Sequence, residues 1–162
     1  MTQIMRPCFF LHGLDSSSQG TKGRWFSRHF PEMRIPDFSG SLEERLEQLA
    51  RLCGPDDQAL LVGSSFGGLM ATIHAQRNPG ACSRLILLAP ALNFEAYQPP
   101  PSPIQVPTLV IIGQDDVVTP PELVLPLVRQ SFAAPEISLV ADDHMLHTTF
   151  PELDWPSLLA AE

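Results

Sequence analysis

The sequence has few of the residues that mark disulfide-rich, membrane-spanning or nucleic-acid-binding proteins. Its three cysteines are an odd number without C-x-x-C spacing, which argues against a disulfide framework and a thiolate zinc site. No apolar run approaches the roughly 20 residues of a membrane-spanning helix. Ten Lys and Arg against eighteen Asp and Glu give a formal net charge of −8, which disfavours phosphate backbones and anionic lipids. We therefore expect no nucleic-acid partner and no membrane partner.

The N-terminus also lacks the cationic segment and following apolar segment of a secretory signal. Together with unpaired cysteines, this predicts a cytoplasmic protein. The length of 162 residues and a hydrophobic fraction of 44% are those of one packed globular unit. We expect a single domain over residues 1–162.

Short apolar runs alternate with helix-like segments along the chain. The runs that predict buried strands are Cys8–Leu11, 60–62, 85–88, 109–112 and 137–140, with 33–35 as a short additional strand. The predicted helices are 21–30, 42–52, 66–76, 121–132 and 152–160. Ser41 and Glu44 are spaced as a capping box for the second helix. This alternation predicts an α/β fold, a mostly parallel sheet with helices on both faces.

The most specific local motif is G-x-S-x-G at residues 63–67, between a predicted strand and a predicted helix. A serine on such a sharp turn needs small residues two positions before and after it, here Gly63 and Gly67. The Ser65 hydroxyl would project from the carboxyl edge of the sheet at a helix N-terminus. There the N–H of Phe66 can point at an oxygen that becomes negative during acyl transfer. The alternative is a Gly/Ser-rich turn without chemistry.

A serine nucleophile needs a base and usually a carboxylate that orients the base, and two later loops supply both. Asp115 and Asp116 follow the fourth predicted strand, and His144 and His147 follow the fifth. Both loops belong at the carboxyl edge, and the order Ser, Asp, His is the one that this type of sheet uses. These observations alone leave the choice within each pair open.

Metal and nucleotide motifs are weaker alternatives. His144 and His147 could share a metal with Asp142, but no H-E-x-x-H motif or second ligand cluster accompanies them. The glycines of residues 63–68 lack the lysine that a phosphate-binding loop requires. The sequence therefore predicts neither a metal nor a nucleotide cofactor.

Four motifs in the right order resemble the α/β-hydrolase superfamily of serine hydrolases. They are the turn at residues 63–67, the pair His12-Gly13 after the first strand, the loop 113–120 and the pair Asp143-His144. The likeness spans residues 8 to about 160 and is greatest to the short, cap-poor bacterial esterases. It implies hydrolysis of a small-molecule carboxylic ester or thioester by a Ser-His-Asp triad, without a cofactor.

The resemblance also favours one acid over the other. In the superfamily the acid typically lies three residues after a glycine and four before a proline. Asp116 meets this spacing between Gly113 and Pro120, and Asp115 does not. The resemblance thus implies Asp116 as the triad acid, with Asp115 as the alternative.

The resemblance assigns the base and the oxyanion hole in the same way. It implies His144 as the base, because it lies closer to the strand end and follows acidic residues, with His147 as the alternative. The oxyanion hole would use the N–H groups of Phe66 and of Leu14, the residue after the His-Gly pair. His12 itself would shape that loop.

A helical cap has little room in this chain. Only residues 89–108 separate the third and fourth predicted strands, where the superfamily usually inserts its cap. We expect an open, shallow site with Phe94, Tyr97 and nearby prolines at its rim. It would suit short acyl chains, or an acyl group carried by a larger partner. Two other functions fit the same residues, a non-catalytic ligand-binding protein on this scaffold and an acyltransferase.

Overall fold

The computed structural model describes residues 6–160, and residues 1–5 and 161–162 lie outside it. The expectation of no secretory signal rests partly on residues 1–5 and so falls outside the described residues. The strands are β1 Cys8–Leu11, β2 Ala59–Ser64, β3 Cys82–Leu88, β4 Thr108–Gly113 and β5 Glu136–Val140. The α-helices are α1 Thr21–His29, α2 Leu42–Leu52, α3 Phe66–Arg77, α4 Pro121–Ser131, α5 Thr149–Glu152 and α6 Trp155–Leu159. No helix in this part of the chain has the length and apolarity to cross a membrane.

The five strands form one sheet in the order β1-β2-β3-β4-β5, and every neighbouring pair is parallel. Because all strands run the same way, their carboxyl ends lie at one edge, where the following loops meet. The prediction of a mostly parallel sheet is confirmed.

Helices cover both faces of this sheet, as predicted. Alternate strand residues point to opposite sides, so Leu61 and Leu87 pack with one set of helices and Val62 and Ile86 with the other. The first set is α2, α3 and α4, and the second is α1, α5 and α6. Such two-sided burial explains the apolar runs of β1 to β4. The prediction of a buried strand is wrong for β5, which lies at the sheet edge and is only partly buried, with Leu139 44% exposed.

The predicted strand at 33–35 is wrong, because only Arg34 pairs with β1. Its N–H donates to Cys8 O at 2.9 Å, and its carbonyl accepts from Phe10 N–H at 2.9 Å. In a parallel ladder the next residue to pair would be residue 36, which is a proline and has no N–H. The pairing is therefore a single bridge.

The capping box of α2 is confirmed. The Ser41 hydroxyl accepts from Glu44 N–H at 3.2 Å, and the Glu44 carboxylate accepts from Ser41 N–H at 3.1 Å. These two bonds satisfy N–H groups that the first turn of a helix leaves unpaired. The helix therefore begins where the sequence predicts.

The single helix predicted at 152–160 is wrong, because the structure has the two short helices α5 and α6 there. Pro156 has no N–H to donate to Glu152 O, and its ring crowds that carbonyl, which favours a break at this point, although α4 does continue through Pro126. Instead Asp154 caps α6 by accepting from Ser157 N–H at 3.3 Å. The break lets Trp155 pack edge-on against Phe26 of α1, with ring centroids 4.8 Å apart.

The connection from β3 to β4 contains no helix or strand, so within the described residues the sheet carries no helical cap. The expectation of a minimal core without a cap is confirmed. The carboxyl edge of the sheet is consequently covered mainly by loops, together with the first residues of α1.

Candidate active site

Ser65 occupies a strained turn between β2 and α3. Its backbone has φ 55° and ψ −113°, a conformation that residues other than glycine rarely adopt. The turn is held by bonds to β3 and the loop after it: Ser65 N–H donates to Leu88 O at 2.9 Å, and Ser65 O accepts from Ala91 N–H at 3.0 Å. The side chain is thereby fixed at the carboxyl edge of the sheet.

The glycines on either side of Ser65 allow close backbone approach. A Cβ on Gly67 would overlap the carbonyl group of Leu11 in β1, and a Cβ on Gly63 would overlap the carbonyl of Gly67. Both clashes are with backbone, which cannot swing away as a flexible side chain can. The G-x-S-x-G pattern is therefore needed for α3 to reach the sheet at this point.

Replacing Gly67 with alanine is expected to lower the free energy of unfolding by about 3 kcal/mol or more, because the added methyl overlaps the backbone of β1. Urea unfolding followed by circular dichroism measures the change. Gly54→Ala is the matched control, since its Cβ would lie 3.4 Å from the Asp57 side chain, an ordinary contact. Equal stability of the two variants would contradict the close approach.

Three side chains from separate loops form one hydrogen-bonded chain at the carboxyl edge. The Ser65 Oγ lies 3.1 Å from His144 Nε2. His144 Nδ1 lies 2.8 Å from Asp116 Oδ2. Asp116 follows β4 and is fully buried, and His144 follows β5 with 19% of its side chain exposed. The structure thus brings together the three residues that the resemblance implied.

The surroundings of Asp116 keep its carboxyl ionised. Oδ1 accepts from the N–H groups of Val118 and Thr119, each at 2.8 Å, and Oδ2 accepts from the Thr119 hydroxyl at 2.7 Å. Burial alone would raise the pKa of Asp116, but the bonds from Thr119 and His144 outweigh it and lower that pKa. With His144 Nδ1 donating to this carboxylate, the Nε2 of the neutral ring is free to accept from the Ser65 hydroxyl.

The alternative acid and base lie away from Ser65. The Asp115 side chain is exposed, and its N–H donates to Asp142 O at 3.0 Å. His147 has 67% of its side chain exposed, with Nδ1 2.9 Å from Asp143 Oδ2. Neither contacts the hydrogen-bonded chain, so the geometry favours Asp116 and His144.

Two backbone N–H groups beside Ser65 have no acceptor within residues 6–160. Phe66 is the first residue of α3, so its N–H has no intrahelical partner. The N–H of Leu14, in the loop after β1, also donates to no described residue. Both residues line the cavity that contains Ser65 and His144. They are therefore available as an oxyanion hole.

His12 holds the loop that carries Leu14. Its Nδ1 lies 2.7 Å from Gly13 O, and its Nε2 lies 2.9 Å from Phe38 N. A carbonyl can only accept and an N–H can only donate, so the ring is the neutral tautomer with its proton on Nδ1. Both nitrogens are occupied, which leaves none to act as a base.

Asp142 shapes the loop around His144, a role that the sequence analysis did not assign. Its carboxylate accepts from the N–H groups of Asp143 at 2.8 Å, Thr148 at 3.1 Å and Thr149 at 2.8 Å. Burial opposes the charge, but these bonds outweigh it and lower the pKa of Asp142 to about 2. No sequence motif marks this role of Asp142. The one signal in the sequence is the spacing of six and seven residues from this Asp to the N–H groups that it binds.

Asp142→Asn is expected to lower the free energy of unfolding at neutral pH by about 1–2 kcal/mol, because an amide replaces a charge that accepts three N–H bonds. The folded pKa lies below the unfolded one, so this contribution is complete above about pH 4 and is lost as pH falls towards about 2. Urea unfolding across that range should show a shallower acid dependence for the variant. Asp56→Asn, at an exposed loop position, is the control. Identical profiles for the wild type and Asp142→Asn would contradict this role.

Lys22 of α1 attaches that helix to the same loop. Its ammonium donates to Met145 O at 2.7 Å and lies 5.4 Å from the centre of the Phe150 ring. Burial lowers the pKa of Lys22, while the charges of Asp143 and Asp142 oppose that shift. A lysine on a predicted helix usually indicates a solvated face, so the sequence carried no signal of this contact.

The cavity over Ser65 has a volume of about 870 Å³. Its apolar lining includes Leu14, Phe94, Val118 and Met145, side chains that are 39–56% exposed. Phe94 is therefore at the site, as expected. Tyr97 is not, because its ring is buried and its hydroxyl is bonded to Ser131. The prolines at 99–103 are likewise absent from the cavity lining, so this part of the rim prediction is wrong.

Comparison with known proteins assigns this chain to a family. The profile of a family described as serine aminopeptidase, S33, matches residues 9–104, more than half of the chain. The protein belongs to this family. As a serine aminopeptidase S33 family member, it is an α/β hydrolase. The matched residues include Leu14 and Ser65, whereas Asp116 and His144 lie beyond them. No curated protein has a significantly matching sequence.

Solved structures similar to this S33 family member share its fold. A Xanthomonas campestris pv. campestris protein classed in the α/β hydrolase superfamily has a TM-score of 0.78 at 21% identity, covering 95% of this chain and 96% of that one. Est1E from Butyrivibrio proteoclasticus, solved with ferulic acid, has 0.72 at 14%, with 95% and 86% covered. An α/β serine hydrolase homologue from Coxiella burnetii has 0.71 at 18%, with 94% and 83% covered. At these identities the likeness concerns the fold.

Proposed function

We propose that this protein is a serine hydrolase that cleaves carboxylic esters or thioesters through an acyl-enzyme. The observation that carries the proposal is the continuous hydrogen-bonded chain from Ser65 through His144 to Asp116. In this proposal Ser65 is the nucleophile, His144 the general base and acid, and Asp116 the group that orients the imidazole. The family and the fold support hydrolase activity in general.

The proposed reaction has two halves. His144 Nε2 takes the Ser65 proton as Oγ bonds to the acyl carbonyl carbon, and the carbonyl oxygen becomes an oxyanion facing the N–H groups of Leu14 and Phe66. The carbonyl re-forms, and the alcohol or thiol leaves with the proton from His144. Water, deprotonated by the same ring, then releases the acid and regenerates Ser65.

The cavity supports an apolar acyl group as the substrate part that it binds. Phe66 and Phe94 meet edge to face with centroids 5.5 Å apart, and Met145 lines the same cavity. The absence of a helix between β3 and β4 leaves the described site uncapped. We propose short acyl chains, or an acyl group whose carrier remains outside the cavity.

Aminopeptidase activity is a second candidate, named by the family description. The observation that favours it is a pair of carboxylates, Asp15 and Glu95, among the residues lining the cavity. A free α-amino group is cationic at neutral pH and would be attracted to them. The same nucleophile and base would serve this reaction.

Activity-based labelling tests the proposal directly. A fluorophosphonate probe should label Ser65, identified by peptide mass spectrometry, and a p-nitrophenyl ester series should give the fastest turnover with short acyl chains. Faster turnover of aminoacyl p-nitroanilides would support the second candidate instead. Product ratios in mixed water and alcohol separate hydrolysis from acyl transfer. A protein that is neither labelled nor active on any of these compounds would refute catalysis and favour a ligand-binding role.

A further inference from the structure

Arg45 is a buried arginine with no part in the proposed triad. It lies on α2, and only 6% of its surface is exposed. Its Nε donates to Gly40 O at 3.0 Å, and its Nη2 donates to Leu14 O at 3.3 Å. The guanidinium carbon lies 5.4 Å from the centre of the Phe66 ring. One side chain therefore contacts both residues whose N–H groups flank Ser65.

These contacts restrict the directions in which the N–H groups of Leu14 and Phe66 can point. The carbonyl of Leu14 is held by Arg45, and the carbonyl of the preceding residue, Gly13, is held by His12. Since each peptide unit is planar, holding the carbonyl of Gly13 orients the N–H of Leu14, and holding the carbonyl of Leu14 fixes the next peptide unit. Packing against the Phe66 ring restrains the start of α3 as well.

The charge of Arg45 is also unusual for its position. Within the described residues no carboxylate forms an ion pair with it, and its Nη1 is buried without a hydrogen-bond partner. An unpaired buried cation is costly. An oxyanion at Ser65 would be a negative charge developing beside the loop that this cation holds, and such a charge is stabilised more strongly away from bulk water.

We propose that Arg45 is a positioning residue for the oxyanion hole: it orients the Leu14 loop, restrains Phe66, and places a positive charge behind both. This inference rests on the proposed function, because an oxyanion forms only if Ser65 attacks an acyl carbonyl. Arg45 acts through Leu14 and Phe66, and it does not line the cavity.

The test compares Arg45→Met with Arg84→Met. Arg45→Met keeps the apolar stem but removes the charge and both hydrogen bonds. We expect kcat for p-nitrophenyl acetate to fall about 10–100-fold with KM changed less than about threefold, because the loss is confined to the transition state. Affinity for a trifluoromethyl ketone, which binds as an oxyanion, should fall by a similar factor. Arg84 also donates to a backbone carbonyl, that of Leu158, and its variant should retain wild-type kcat.

A readout that needs no activity accompanies the kinetics. Amide hydrogen exchange at Ser16, whose N–H donates to Gly13 O at 3.3 Å in the Leu14 loop, should accelerate in Arg45→Met and stay unchanged in Arg84→Met. If Arg45→Met does not fold, Arg45→Lys takes its place; a lysine keeps the charge but cannot bond Gly40 and Leu14 while packing flat on Phe66, so kcat should fall about fivefold or more.

The outcomes separate this proposal from the proposed function. A wild-type protein that neither turns over esters nor reacts with a fluorophosphonate refutes the function, and unchanged Ser16 exchange in Arg45→Met then refutes the positioning role independently. An active wild type with full kcat in the Arg45 variant overturns the Arg45 proposal alone. Parallel losses of kcat and stability in Arg45→Met and Arg84→Met would likewise show a structural role only.

Discussion

Replacing Ser65 with alanine is expected to lower kcat for ester hydrolysis by about 10⁴-fold or more, with the fold intact. The variant removes the nucleophile and the acceptor of the acyl group. Among residues 6–160 the Ser65 hydroxyl bonds only to His144, and alanine keeps the Cβ that the strained turn already holds. The melting temperature should therefore change by less than about 3 °C. Initial rates with p-nitrophenyl acetate measure the change in kcat, and thermal unfolding measures the change in melting temperature.

Ser83→Ala is the matched control for that experiment. Ser83 lies near the start of β3, at the opposite end of the strand from Leu88, and its hydroxyl donates to Ala59 O at 3.4 Å. It should keep wild-type kcat and remain labelled by the fluorophosphonate at Ser65. Wild-type activity in Ser65→Ala would remove the proposed nucleophile, and equal losses in both variants would indicate a general effect on the fold.

The first four strands of the sheet were predictable because they are mostly buried on both faces. An apolar run such as Cys8–Leu11 is stable only when it is buried, and this run and the run 109–112 end at His12 and Gly113, where the chain reaches the sheet edge. The predictions of the strand at 33–35 and of the single helix at 152–160 are wrong because one proline interrupts the local pattern in each segment. Pro36 ends a ladder after one bridge because it lacks the N–H that the next bond requires, and Pro156 favours the break between α5 and α6 for the same reason, although α4 tolerates Pro126.

The three side chains of the site could be predicted from the sequence, whereas the contacts that hold the surrounding loops could not. Ser65 is marked by glycines that the strand-to-helix turn requires, and Asp116 and His144 come from loops that the parallel sheet places at one edge. Arg45 and Lys22 bond to carbonyls 31 and 123 residues away in sequence. Backbone carbonyls occur at every position, so no side-chain pattern specifies such a partner before the chain is folded.

Asp116→Asn is expected to lower kcat by about 10³–10⁴-fold with little change in the distances among the three side chains. Oδ1 accepts two backbone N–H groups, so the amide oxygen should take that place and leave the NH₂ group facing His144 Nδ1. The NH₂ donates, which forces Nδ1 to accept and moves the ring proton to Nε2. A protonated Nε2 cannot take the Ser65 proton. The measurement is kcat with p-nitrophenyl acetate, together with the rate of fluorophosphonate labelling, which should fall in parallel.

Asp115→Asn makes this prediction decisive, because it applies the same chemical change one residue earlier. The Asp115 side chain is exposed and does not contact His144, so kcat should stay within about twofold of the wild type. A large loss in Asp115→Asn with full activity in Asp116→Asn would reverse the assignment of the acid. Loss in neither would mean that His144 is oriented without a carboxylate, by the Thr119 hydroxyl that lies 3.2 Å from its Nδ1. The two variants thus decide whether charge or only hydrogen bonding at Nδ1 makes His144 a base.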